Sequence, residues 1–332
     1  MKTGRKKVRG LGLCSGGLDS ILAGRVLQEQ GIEIEWISFE TPFFSSEKAQ
    51  KASRLYGIPL TIKDMTKEYL VMLKDPPAGY GKHMNPCMDC HALMFHLAGG
   101  IMREKGFDFL FSGEVLGQRP MSQTRQSLRY VEKHSGFDGY IIRPLSAKLL
   151  AESIPEKQGM LDREKLLDLT GRSRKPQISI AEKLGISEYP APAGGCLLTD
   201  RGFSLRLKDL FDHQDVYHER DFHLLKAGRH LRLDPLMKAV VGRTEEDSNR
   251  IAKLYNSKTD MICSLVKIPG PVVLVPGGCE SEDKRLLAAT ICASYSKVPK
   301  TIPVEVWIKT VDERKRVPVI SLPTSVFQKW MI

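Results

Sequence analysis

Over residues 8–64, short runs of β-forming residues alternate with runs of helical spacing, and this alternation narrows the possible folds more than any other feature of the chain. VRGLGLCS (8–15) is apolar and ends in small residues, while ILAGRVLQEQG (21–31) puts apolar residues at helical spacing and stops at Gly31. IEIEWISFE (32–40) alternates and is rich in β-formers. SSEKAQKASRLYG (45–57) has a Ser start, an acidic first turn and a Gly stop, and IPLTIKD (58–64) is again strand-like. Strands joined through helices at such short intervals run parallel. The expected class is therefore α/β, a doubly wound parallel sheet.

Further along, DPPAGYGKHMNPCMDC (75–90) is too rich in Pro, Gly and Asn for regular structure. A helix is expected over 91–106, a fourth strand over 107–114 and a fifth over 140–145. Helical segments are expected to dominate residues 149–188, broken at Pro155 and Pro176. YPAPAGGC (189–196) reads as a stiff, turn-rich loop, either a domain boundary or a flap. After about Arg201 the texture changes: 222–233, 237–243, 272–276 and 304–310 look like strands, with helices over 245–256 and 281–296 between them. The expected division is an α/β domain over 1–200 and a second, smaller α+β domain over 201–332, in keeping with a length of 332 residues.

Composition sets outer limits. Apolar residues make up 42% and charged residues 27%, which excludes a wholly disordered or collagen-like chain. No apolar run reaches the ~18–20 residues of a membrane helix, and the basic start lacks the apolar stretch of a secretory signal. Seven cysteines, an odd number spread along the chain, argue for free thiols in a reducing compartment, so a cytoplasmic setting is expected. A net charge of +11 allows a polyanionic partner without requiring one.

SGGLDS (15–20) falls between the first strand and the first helix. Gly16 and Gly17 let the backbone approach an anion, the helix start adds partial positive charge, and Ser15 and Ser20 add hydroxyl donors. Asp19 would repel phosphate unless it holds Mg²⁺ or turns toward the helix. Neither GxxxxGK[ST] nor GxGxxG is present. A plain Ser/Asp-capped turn is the bland alternative to a nucleotide loop.

SGGLDS resembles the SGGxDS signature of the PP-loop ATP pyrophosphatases, also called adenine nucleotide alpha hydrolases, which cleave ATP between the α and β phosphates. FETPFFSSEKAQK, starting at Phe39, is similar to the segment after the second strand in 4-thiouridine synthases, and CHALMFHLAGGIMREKGFDFLFSGEVLGQRPMSQT and RPLSAK resemble later elements of the same enzymes. The resemblance covers about residues 8–150 and weakens toward residue 200. It implies ATP and Mg²⁺ as cofactors, Asp19 as a catalytic residue, and nucleotide or substrate contact by Ser15, Gly16, Gly17, Ser20, Phe39, Gly113, Glu114, Gly117 and Gln118. Arg143 and Lys148, in RPLSAK, would neutralise phosphate charge. Relative to that family, the sequence lacks an RNA-binding region before the loop and a rhodanese-like region after it, and its RPL element is two residues shorter before Lys148.

Cys87 and Cys90 form a CxxC, which is compatible with a zinc half-site, a redox pair or part of an iron–sulfur site. With the distant Cys196 there are three thiolates, enough to hold a 4Fe–4S cluster with one iron open. This set looks like the cluster ligands of iron–sulfur-dependent tRNA thiolation enzymes, and a persulfide relay between Cys196 and one CxxC thiol is the other reading. Cys14, Cys263, Cys279 and Cys292 have no ligand spacing and are expected to act as small buried hydrophobes.

The tail GRHLRLDPLMKAVVGRTEEDSNRI is similar to an RNA-binding module first recognised in ribosome quality-control proteins, the NFACT type. Lys226, Arg229, His230, Arg232, Lys238 and Arg243 are then either phosphate contacts or an ordinary solvated face. Taken together, the resemblances imply an ATP-dependent tRNA sulfurtransferase that adenylates a base carbonyl and replaces its oxygen with sulfur from an unidentified donor. The alternatives are a PP-loop enzyme acting on a small molecule and a non-catalytic RNA- or nucleotide-binding protein.

Overall fold

A computed structural model describes residues 7–191 and 196–332. Of the expected boundary or flap loop at 189–196, residues 192–195 lie outside the described residues. The chain divides into two compact units, Met1–Thr199 and Asp200–Ile332.

The first unit runs β1 (Arg9–Leu13), α1 (Leu18–Gln28), β2 (Glu33–Glu40), α2 (Glu47–Tyr56), β3 (Leu60–Asp64), α3 (Thr66–Lys74), α4 (Cys87–Lys105), β4 (Phe109–Ser112), α5 (Arg125–Ser135), β5 (Ile141–Ile142), α6 (Ile154–Lys157) and α7 (Lys175–Lys183). Its sheet has the order β3-β2-β1-β4-β5, and every pairing is parallel. The strand order reverses between β1 and β4. In a doubly wound sheet, that reversal opens a crevice at the carboxyl ends of the two strands. Leu11, Trp36 and Phe109 are fully buried in the strands, and Ile21 and Leu22 of α1 pack on the same layer.

Two expectations change. Pro155 and Pro176 start helices, α6 and α7, rather than ending them: each sits in a first helical turn, where proline loses no hydrogen bond. The stretch they punctuate is mostly irregular, with α6 only four residues long. The CxxC does not precede α4 but forms its first turn, so Cys87 and Cys90 share one helix face.

The second unit runs α8 (Arg201–His213), α9 (Glu219–Leu224), β6 (Arg229–Asp234), β7 (Met237–Val241), α10 (Glu245–Lys253), β8 (Met261–Leu265), β9 (Val273–Val275), α11 (Glu282–Ser294), β10 (Val304–Lys309) and β11 (Arg314–Val319). It is α+β, with an antiparallel sheet in the order β11-β10-β8-β9-β7-β6. The strand expected from residue 222 starts only at Arg229. The reciprocal cap between His218 and Asp221 commits 219–224 to a helix first. One sheet face packs on α11 through Cys263, Val306, Ile308 and Val317, while Val240 and Leu274 face a smaller core with Ile251 of α10. Among the described residues, no helix is long and apolar enough to cross a membrane.

Candidate functional site

The loop after β1 and the loop after β4 meet at the crevice. Gly16 has φ +72°, and a Cβ there would lie 2.2 Å from the Lys48 carbonyl carbon, so both the conformation and the space demand glycine. Gly17 caps α1 from extended backbone, leaving first-turn amide N–H groups without intrahelical partners at the loop. Ser20 Oγ donates to the Gly17 carbonyl at 2.8 Å, whereas Ser15 is exposed at the mouth. Cys14 is buried behind the loop, and its Sγ accepts from the Gly16 amide at 3.3 Å; burial pushes this thiol up to about 11. Phe39 is buried at the end of β2.

From the β4 side, a Cβ on Gly113 would lie 2.4 Å from the Asp19 carbonyl, so this glycine lets the two loops touch backbone to backbone. Gln118 Nε2 donates to Asp19 Oδ2 at 2.9 Å, and Gln177 Nε2 donates to Gln118 Oε1 at 3.3 Å. Arg174, just before α7, reaches the same Asp19 oxygen with Nη2 at 3.4 Å. Three atoms in this group, Asp19 Oδ1, Arg174 Nε and Gln177 Oε1, are buried with no hydrogen-bond partner among the described residues. Buried polar atoms are nearly always paired, so a cluster of orphans marks a surface made for something else. Arg174 and Gln177 escaped sequence reading. The run SRKPQ looks like any basic, solvated loop until the fold carries it 155 residues back to Asp19.

The cysteines gather around Tyr69. This ring is 1% exposed, is hydrogen-bonded with Cys90, and lies 5.6 Å from both Phe43 and Phe44. Leu197, next to Cys196, donates its amide to the Phe43 carbonyl at 3.3 Å, which brings the distant cysteine to the same aromatic wall. Burial, and then the charges of Cys196 and Cys87, push the Cys90 thiol strongly up; burial, partly opposed by the Leu198 amide, lifts Cys196 to about 11. Asn85 Nδ2 donates to Cys87 Sγ at 3.3 Å. Asp89, between the two cysteines, accepts from the Tyr130 hydroxyl at 2.7 Å and the Ala78 amide at 2.9 Å, which fixes the turn. Among the described residues, no three His, Cys, Asp or Glu side chains are close enough to hold a single metal ion.

One segment links the phosphate loop to the cysteine helix. Gln118 touches Asp19, and Glu114, four residues earlier, pairs with His91 Nδ1 at 2.7 Å; His91 follows Cys90 on α4. Glu114 also accepts from Arg143 Nε at 2.9 Å and Ser112 Oγ at 3.1 Å. Burial would raise its carboxyl, but Arg143 and His91 outweigh this and bring it down to about 2.

This geometry corrects the expectation for Arg143. Its side chain is 1% exposed, and its guanidinium is taken up by Glu114, Glu132 and the Leu128 carbonyl, which leaves no face for phosphate. Lys148 pairs with the exposed Glu164 at 3.2 Å. The cation found at Asp19 is Arg174.

Corrections also fall on the basic tail. His230 is buried and donates Nε2–H to the Leu224 and Ala227 carbonyls, and burial holds its ring neutral. Lys238, also buried, and Arg232 both clamp Asp209, at 2.9 Å and 2.8 Å. Arg243 donates to the Gly228 carbonyl, Arg229 lies over Tyr295, and Lys226 meets His223. These groups hold the unit together, and His230 and Lys238 cannot reach a nucleic acid. Cys263 and Cys292 are core residues as expected, but Cys279 is only half-buried.

Residues 6–149 match the family model described as thiamine biosynthesis protein (ThiI), and residues 228–331 match that of the NFACT protein RNA binding domain. A probable tRNA sulfurtransferase of Oceanobacillus iheyensis is 33% identical over 142 residues, covering 40% of this chain and 34% of the relative. One of Ureaplasma parvum serovar 3 is 28% identical over 179 residues, covering 52% and 42%. The chain thus spans only about a third to two fifths of the length of these curated relatives. A solved 4-thiouridine synthetase–RNA complex with bound ATP shares 22% identity at a TM-score of 0.34, covering 54% of this chain and 50% of that one.

Proposed function

Starting from a chain that joins a ThiI-family segment to an NFACT-type RNA-binding segment, we propose that it is an ATP-dependent tRNA sulfurtransferase acting on a uridine carbonyl. The observation that carries this reading is the 113–118 segment. It contacts the anion loop through Gln118 and the cysteine helix through Glu114 and His91, so adenylation and sulfur delivery share one crevice.

In the first step the base oxygen attacks the α-phosphorus of ATP. An O–P bond forms, the bond to the β-phosphate oxygen breaks, and pyrophosphate leaves with the electron pair, while the base N–H proton passes to solvent. The first-turn amides of α1 meet the phosphate charge with dipoles already oriented, and Gly16 and Gly17 give the backbone room to approach it. Arg174 gives the leaving pyrophosphate a full positive charge. Asp19 Oδ1, buried and unpartnered, fits a Mg²⁺ ligand; the ion would neutralise charge between neighbouring phosphates. In the second step, sulfur at the hydrosulfide level attacks the activated carbon, the C–O bond breaks, and AMP departs with the oxygen that had belonged to the base. The base then regains its proton.

Cys87, Cys90 and Cys196 are the residues that would hold a 4Fe–4S cluster. Three thiols around one aromatic wall, too far apart for a single ion yet close enough for Cys87 to help raise Cys90 and Cys196, suit a group that spreads its ligands over several irons. When bound, the cluster supplies an open iron to which a sulfide can attach. The protein's part is to keep water from this pocket with Tyr69, Phe43 and Phe44. The proposed setting is the cytoplasm, where tRNA and reduced thiols coexist.

The test is tRNA-dependent formation of AMP and pyrophosphate, followed by mass spectrometry of tRNA nucleosides. Asp19→Ala is expected to lower turnover by about 10²–10³-fold and leave tRNA affinity intact. ATP cleavage that ignores tRNA would favour a small-molecule substrate. Anaerobically purified protein that is colourless, free of iron and still thiolates tRNA would remove the cluster.

A further inference from the structure

His230, Arg232 and Lys238 are committed to internal contacts, which leaves other cations of the second unit to meet RNA. The two faces of the β10–β11 hairpin differ in a telling way. Val306, Ile308, Val317 and Val319 point into the core against α11. On that same side, Lys315 is neutralised by Glu282 and Glu313. The opposite side carries Trp307, Lys309, Arg314 and Arg316, brought together by register: Trp307 faces Arg316 and Lys309 faces Arg314. Helix α10 packs on β9, in the same smaller core as Val240 and Leu274, and leaves this end of the sheet open.

The guanidinium carbons of Arg314 and Arg316 lie 3.9 and 4.5 Å from the Trp307 ring centroid, and Lys309 Nζ lies 5.1 Å from that of Tyr255. No carboxylate pairs with Lys309, Arg314 or Arg316 among the described residues; Glu305, at the start of β10, bounds the strip. Guanidinium groups are planar, so two of them beside one indole offer flat surfaces to a base and, at their edges, N–H donors to phosphate oxygens.

We propose that this open face of β10 and β11, with Trp307 at its centre and Lys309, Arg314 and Arg316 around it, binds unpaired RNA nucleotides by stacking and phosphate contact. The proposal rests on the RNA-binding reading above and names the surface that does it. Three exposed cations beside two half-buried aromatic rings suit a polyanion whose bases are free to stack, and a duplex hides those faces.

The experiment uses the full chain, a labelled single-stranded oligoribonucleotide, its duplex and a tRNA transcript, read by fluorescence anisotropy across a salt series. Arg314→Ala/Arg316→Ala is expected to weaken single-strand binding about tenfold or more. Its log–log salt slope should be shallower by roughly 1.4, the share of two single-strand phosphates. Trp emission lost on RNA addition should be present in wild type and missing from Trp307→Phe, a readout that does not depend on the arginine variant folding. Far-UV circular dichroism and the thermal unfolding midpoint of each variant serve as the folding control. Wild-type binding with unchanged affinity and slope in the double variant, and no quenching of Trp307, would overturn this surface while sparing the RNA reading. Failure of the wild-type chain to bind any RNA at low salt would overturn both.

Discussion

Each unit sets an aspartate against an arginine, and the two are finished differently. In the second unit Asp209 is saturated: Arg232 binds both its oxygens and Lys238 one of them. In the first unit Asp19 keeps one buried oxygen unpaired, beside an unpaired Arg174 Nε and an unpaired Gln177 oxygen. A saturated cluster is a clamp, because its desolvation cost is already offset by its own partners. An unsaturated one retains capacity for a ligand that the chain does not supply. Burial and charge alone would have grouped the two together.

The comparison is broken most directly by removing each aspartate. Asp19→Ala should lower the rate of pyrophosphate release about 10²–10³-fold, with thermal stability changed by less than about 1 kcal/mol. Asp209→Ala should do the reverse. It leaves Arg232 and the buried Lys238 uncompensated, at a cost of roughly 3–5 kcal/mol in denaturant titration, with ATP cleavage intact in the folded fraction. Equal losses of stability in the two variants would erase the distinction.

Acid titration sharpens it. Glu114 is held at about 2, below its unfolded value of 4.5, so its stabilisation is complete above 4.5 and drains away as pH falls toward 2. The loss should reach about 3 kcal/mol across that window, and Glu114→Gln should flatten the stability curve there.

Arg174→Ala is expected to reduce kcat/KM for ATP by about ten- to a hundredfold, with Lys restoring part of it, because a point charge meets phosphate but lacks the fork of donors. The smallest effect belongs to a core thiol. Cys263→Ala should cost about 1 kcal/mol of stability and leave tRNA thiolation unchanged, whereas Cys90→Ala should stop thiolation while AMP formation continues. Both cysteines are buried, and only Cys90 lies beside two other thiols and the Tyr69 hydroxyl.

Much of this was legible along the chain. Period-2 and period-3.6 spacing marked β1 through β3 and the helices between them, and the glycines of 15–20 marked the anion loop, because each signal is carried by residues within a few positions of one another. Local signals misread the prolines at 155 and 176, whose positions in the helices depend on where the flanking turns begin. They also could not tell a ligand cation from a structural one. Arg143, Lys238 and Arg174 are equally basic in sequence, and only their distant neighbours decide which is spent.

The sequence by itself determined a parallel sheet with a glycine-rich loop at its first strand end, a CxxC with a distant third cysteine, and a second unit of α+β texture. Tertiary structure alone decided that the loop after β4 bridges Asp19 and the CxxC helix, that Arg174 rather than Arg143 meets Asp19, and that Lys309, Arg314 and Arg316 gather on the Trp307 face of β10 and β11. The reason is physical: secondary structure follows from neighbours in the chain. Desolvation and charge pairing follow from neighbours in space, here brought together across as many as 155 residues.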